Sequence, residues 1–210
     1  MARPFDDATR RNIAARCAEF TRLPASEPAP GLKRAAVAIA LVEAPEPAGG
    51  TALLLTLRAA GLRAHRGQWA LPGGRCDDGE SVVTAALREL HEELGLEIDA
   101  SQVLGLLDEY PTRSGYLITP VVVWAAAGKM ISPNPGEVAS VHRIPLENIE
   151  QANAFDFTAI PESHRRVIRY RHAGQFIHAP TAALIYQFRE VLAGRATRVA
   201  ELEQPVFAWK

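Results

Sequence analysis

The chain has 210 residues, 48% hydrophobic and 22% charged, with a formal net charge of −1. That length and composition predict one globular domain with a sizeable core and exclude a fibrous or disordered protein. Near-neutrality provides no global field for a polyanion, and with no dense basic patch in view, nucleic-acid binding is not expected. The apolar runs are too short and interrupted to span a bilayer, and the first residues lack the apolar core of a secretory signal, so the expectation is a cytoplasmic protein without a membrane partner. Cys17 and Cys76 are far apart and outside any CxxC spacing, and read as reduced thiols.

Asp6 or Asp7 is placed to cap a first helix running to about Leu23, in which Ile13, Cys17 and Phe20 recur at i, i+4, i+7 and face a core or a partner. The Pro-rich stretch from Pro24 to Gly31 then predicts a connector, making residues 1–31 an appendage to a main domain over 32–195, with 196–210 as a tail. Such a helix packs on its own chain or exchanges across a homodimer. Two buried strands follow, in "AAVAIALVE" and "TALLLTLR", separated by the turn-rich "APEPAGG". A helix is expected from Ser81 to Leu94, then strands around Val103 to Leu107, in "YLITPVVVWAA" and in "EVASVHRIPL". "RRVIRYRHAGQFIHA" predicts a hairpin turning at Ala173 and Gly174, and Pro180 opens a last helix to Leu192. Strands around a central helix, with a second helix late in the chain, imply an α/β or α+β layered fold built on a mixed sheet.

The central helix carries the chemistry. At about 100° per residue Val83, Leu87, Leu90 and Leu94 form one apolar stripe, while Glu89, Glu92 and Glu93 lie together on roughly the opposite side. Spacings of i, i+3 and i, i+4 let the three carboxylates converge near the helix C-terminus, where mutual repulsion and the helix dipole both disfavour them. A solvated acidic face is the bland reading. A bound hard cation, Mg²⁺, Mn²⁺ or Ca²⁺, offsets that cost better than Arg88 alone. Before the helix, Pro72, Gly73, Gly74 and Gly79 permit a tight loop whose backbone can approach a ligand, and Glu80 can reach back to Arg88.

Gly74, five residues, Glu80, seven residues and then "RELHEELGL" from Arg88 to Leu96 resembles the complete Nudix box, G-x5-E-x7-R-E-U-x-E-E-x-G-U, where U is a bulky aliphatic. The resemblance implies an α/β/α sandwich and Mg²⁺- or Mn²⁺-dependent hydrolysis of a small-molecule diphosphate. It also implies that Glu89, Glu92 and Glu93 are metal ligands together with the carbonyl of Gly73, that one of the glutamates orients or deprotonates water, and that Arg88 and Glu80 brace the loop. An idle Nudix fold that only binds ligands would be expected to show eroded glutamates, and all of them are present.

Upstream, "LLTLRAAGLRAHRGQWALPGG" from Leu54 to Gly74 resembles the signature of coenzyme A pyrophosphatases, L-L-T-x-R-(S/A)-x3-R-x3-G-x3-F-P-G-G, with Leu71 in place of the aromatic. This similarity implies coenzyme A or acyl-CoA as substrate, cleaved to 3′,5′-ADP and a 4′-phosphopantetheine moiety; ADP-ribose or another nucleoside diphosphate derivative is the alternative. Arg58, Arg63 and Arg66 lead into the loop and either engage phosphate by paired hydrogen bonds or solvate a surface turn. Glu137, in "PNPGEVASVHRIPL", is a candidate general base or auxiliary ligand, or an ordinary loop carboxylate. His65 is a candidate substrate contact, His91 should be exposed, and Trp69 lines a base or pantetheine pocket or belongs to the core.

Overall fold

A computed structural model of the protein describes residues 3–23, 31–45, 50–62, 66–125 and 130–206. Most of the Pro-rich connector, Arg63 and His65 lie outside the described residues. Strands β1 (Lys33–Glu43) and β7 (Tyr116–Trp124) run parallel in register from Lys33↔Tyr116 to Leu41↔Trp124 and form the spine of a mixed sheet. β5 (Val103–Leu106) pairs antiparallel with the far edge of β7, while β2 (Thr51–Arg58) joins β1 and carries β8 (Val138–Pro145) on its other edge.

β1 and β2 pair over only three positions, Leu41↔Leu53 to Glu43↔Thr51, and then diverge. The fork between them is filled by two short strands, β3 (Trp69–Ala70) on β2 and β4 (Gly73–Arg75) on β1. Period-two alternation divides the sheet's side chains between two cores. On one face, Ala36, Ala38, Ala40 and Leu54 meet α2 (Val82–Leu94); on the other, Ile39, Leu41, Leu53 and Leu55 meet α1 (Asp7–Glu19) and α4 (Thr181–Leu192). The alanines of β1 leave room for α2 to approach closely. A three-stranded sheet, β9 (Phe155–Ile160), β10 (Ser163–His172) and β11 (Gln175–His178), packs into the second core, and the result is the expected α/β/α sandwich.

The hairpin turn falls at Ala173 and Gly174, both at positive φ. β9 was not expected from sequence. α1 ends at Glu19 rather than near Leu23, because Phe20 turns extended and buries its ring. The helix is also no appendage: Ile13, Cys17 and Phe20 are buried in the same cluster as α4, and Gly105 of β5 leaves space for the Cys17 side chain. Residues 196–206 are likewise tied in, with Val199, Glu203 and Gln204 buried and Glu203 bridged to Val167 of β10. Among the described residues no helix is long and apolar enough to cross a membrane.

Candidate active site

Ser81 caps α2 by accepting from the Thr84 amide at 3.0 Å, and Gly95 in the left-handed region ends it, with its amide on His91 O and the Leu96 amide on Leu90 O. The loop that carries Glu137 closes the remaining carbonyls: the amides of Asn134 and Ser132 donate to Glu93 O and Leu94 O, each at 2.9 Å. The C-terminus of the acidic helix thereby selects where Glu137 sits.

The buried arc of α2 is centred on Ala86, Leu90, Glu93 and Leu94, whereas Val83 and Leu87 are only half-buried. The expected apolar stripe is therefore rotated, and Glu93, expected on the opposite side, is 3% exposed. The three carboxylates separate into different environments. Arg88 holds Glu80 through two hydrogen bonds of 3.0 and 3.1 Å, and its Nη1 donates to both Glu89 Oε1 and Glu92 Oε2 at 2.9 Å. The brace extends to the loop, since Arg88 Nη2 donates to Arg75 O and Glu80 Oε2 accepts from the Asp77 amide. Hydrogen bonds from Arg88 keep Glu80 below its usual pKa.

Glu93 accepts from the Gly73 amide at 3.3 Å and meets Arg58 Nη1 at 3.5 Å. Burial pushes its carboxyl up to about 7, against the opposing charge of Arg58, with Glu89 and Glu137 adding repulsion. Glu89 is raised as well, again mainly by burial, and it too feels Glu137. A Cβ at Gly74 would meet the Glu89 carboxylate, so the glycine leaves that carboxylate its position.

Among the described residues no three His, Cys, Asp or Glu side chains are grouped to hold a metal ion. Arg88 holds both Glu89 and Glu92, but Glu92 is 49% exposed against 13% for Glu89, so the carboxylates gathered on the covered side are Glu89 and Glu93, with Glu137 in electrostatic range. That smaller donor set still fits Mg²⁺, which keeps several waters and takes only one or two carboxylates. Clustered buried carboxylates whose protons are held too tightly are short of positive charge, and a divalent cation supplies it.

Gly73, Gly74 and Arg58 also line a cavity of about 570 Å³, within the range of small-molecule sites. Trp69 and Leu71 form part of its wall, with Trp69 donating to Gln175 Oε1 at 3.0 Å. β11, the start of α4, Thr112 and Gln204 supply further lining, with Thr181 donating to Trp69 O at 3.2 Å. These distant segments carried no signal in the sequence. Arg58 Nε is buried and has no hydrogen-bond partner among the described residues. Arg66 is exposed on the turn before β3 and does not line the cavity; His91 is exposed, as expected.

A mixed sheet between helical layers, with a glycine strand seated against an acidic helix, is an α/β/α sandwich of the kind seen in solved Nudix structures. The Nudix hydrolase RenU of M. smegmatis matches at a TM-score of 0.52 and 26% identity, covering 77% of this chain and 86% of that one. A MutT/nudix family protein from Enterococcus faecalis shares the fold at a TM-score of 0.54 and 20% identity, covering 90% of this chain and 75% of that one. The NUDIX domain family model matches residues 32–169. Nudix hydrolase NudL of Photorhabdus laumondii is 34% identical over 161 residues, 75% of this chain and 84% of the relative, and NudL of Pectobacterium atrosepticum is 35% identical over 176, covering 82% and 89%. The chain belongs to the Nudix hydrolase family.

Proposed function

We propose that the protein hydrolyses the diphosphate of coenzyme A or acyl-CoA, using Mg²⁺ or Mn²⁺, and releases 3′,5′-ADP and a 4′-phosphopantetheine moiety. The observation that carries this reading is the cavity that begins at Gly73, Gly74 and Arg58, beside the buried Glu93 and the part-buried Glu89, and continues along a largely apolar wall. A long substrate with a charged centre and an amphipathic arm suits that shape. The match of Leu54 to Gly74 to the coenzyme A pyrophosphatase signature supports the same substrate. Two buried free thiols suit a cytoplasmic protein.

In this reading Glu89, Glu93 and the Gly73 carbonyl would hold the cation, with Glu92 as a further candidate ligand. When bound, the ion offsets charge that builds on the phosphate oxygens and acidifies the attacking water. Arg58, which lines the cavity, offers its guanidinium to a phosphate oxygen. Glu137, or one of Glu92 and Glu93, accepts the proton of the attacking water. Arg63 and Arg66 stand as further candidate phosphate contacts on the strength of the sequence alone.

A chromatographic assay with Mg²⁺ comparing coenzyme A, ADP-ribose, NADH and diadenosine polyphosphates tests the proposal. Coenzyme A is expected to be turned over fastest; a clear preference for ADP-ribose would reassign the substrate.

A further inference from the structure

Two arginines of β10 stand against Phe176, a residue of the cavity wall, on a side that the sequence signatures did not reach. The hairpin register sets Arg171 opposite Phe176 and Arg169 opposite His178, so alternation puts all four on one face. Phe176 and His178 line the cavity. The guanidinium carbons of Arg169 and Arg171 stand 4.2 and 5.3 Å from the Phe176 ring centroid, and the ring is 38% exposed. Cation–π contact of this kind orients a guanidinium without consuming its N–H donors.

The charge on this face is unbalanced. Arg169 and Arg171 share Asp156, at 3.5 and 3.0 Å, which leaves two cations for one anion. Arg169 Nε is buried with no hydrogen-bond partner among the described residues. Its charge is felt inside the cavity, where His178 is held below its usual pKa, first by burial and then by Arg169.

We infer that Arg169, Arg171 and Phe176 form a subsite for a phosphomonoester on the ribose of the substrate's nucleotide half. The inference rests on the coenzyme A reading for the 3′ position of that phosphate, while the chemistry required is a ribose phosphate in general. Paired guanidinium hydrogen bonds take the phosphate, and Phe176 holds Arg169 while offering its exposed ring surface to the sugar or base. With Arg58 turned to Glu93, this face supplies further cations for a second phosphate.

The test is calorimetric binding of 3′,5′-ADP, 2′,5′-ADP and 5′-AMP to the full chain with Mg²⁺, for the wild type and an Arg169→Gln/Arg171→Gln double variant. The wild type is expected to bind 3′,5′-ADP at least about tenfold tighter than AMP, and the variant to lose that preference with AMP affinity unchanged. Arg171→Gln alone, at an exposed position, keeps the test valid if the double variant misfolds, and is expected to lose about threefold. No preference in the wild type, or an undiminished one in the variants, overturns the subsite. An arginine-dependent preference for 2′,5′-ADP, or its persistence in a protein that does not hydrolyse coenzyme A, upholds the subsite and rejects coenzyme A as substrate.

Discussion

Arg58, at the end of β2, places its Nη1 3.5 Å from the Glu93 carboxylate, which is 3% exposed. A cation from the sheet thereby meets an anion from the helix packed against it. Among the described residues Arg58→Ala leaves Glu93 with the Gly73 amide alone for support, and a cost of about 1–3 kcal/mol in urea unfolding is expected. An unchanged midpoint would mean that the pair does not stabilise the fold.

Glu93→Gln is expected to keep the fold and abolish most activity. The amide preserves shape and removes repulsion with Glu89 and Glu137 while giving up the charge partner of Arg58, so the two effects oppose and thermal unfolding without metal should shift little. Turnover at saturating substrate and Mg²⁺ should fall at least about a hundredfold, or about 2.7 kcal/mol of transition-state stabilisation. Near-normal turnover would remove Glu93 from the metal platform.

How far these elements were legible depends on how local their causes are. Gly95 and the Glu80–Arg88 brace are set by neighbours within one or two helical turns, and the structure agrees with the sequence on both, while Ser81, expected inside the helix, caps it instead. The rotation of α2 was not legible, because Ala85 and Ala86 look too small to define a buried face until the alanines of β1 are seen opposite them. Glu137 could be flagged only by resemblance, since its position depends on carbonyls at the far end of α2. The cavity's lining from Gln175 to Thr181 required a packing arrangement that no local pattern encodes. β9 escaped notice although Phe155 and Phe157 alternate into the core.

The docking of α1 gives a prediction opposite to that for a detachable appendage. A chain beginning at Gly31 loses the burial of Ile13 and Phe20, at about 1.5–3 kcal/mol for each large apolar side chain, and uncovers β5. Thermal unfolding should drop by many degrees, with light scattering showing aggregation rather than a clean change from dimer to monomer. A stable, monodisperse product of unchanged melting temperature would restore the appendage reading.

Glu203 governs part of the acid limb of stability. It accepts from Arg113 Nε and Nη2 at 3.1 and 2.6 Å and from Ser163 at 2.8 Å, and these bonds, Arg113 foremost, depress its pKa from 4.5 to about 2. Because the folded pKa lies below the unfolded one, the contribution is complete above about 4.5 and is lost as pH falls toward about 2. Glu203→Gln should cost about 1.5–3 kcal/mol at pH 7, and the gap to the wild type should close across that window in denaturant titrations. A gap independent of pH would assign the effect to packing instead.

The two glycines of the metal loop should fail in different ways. A Cβ at Gly73 would meet Ala36 O and Val37 Cα, which are sheet backbone, and Gly73 holds φ 155°. Gly73→Ala must therefore strain the β1–β4 pairing and should cost more than about 1 kcal/mol of stability. A Cβ at Gly74 meets the far end of the Glu89 side chain, which can swing aside. Gly74→Ala should unfold near the wild-type midpoint yet lose at least about tenfold in turnover, because a carboxylate displaced by about 1 Å no longer meets its ligand in the productive geometry. Parallel urea melts and Mg²⁺ titrations of turnover separate the two: a Gly74→Ala protein with full activity would show that the position of Glu89 is not critical to the reaction.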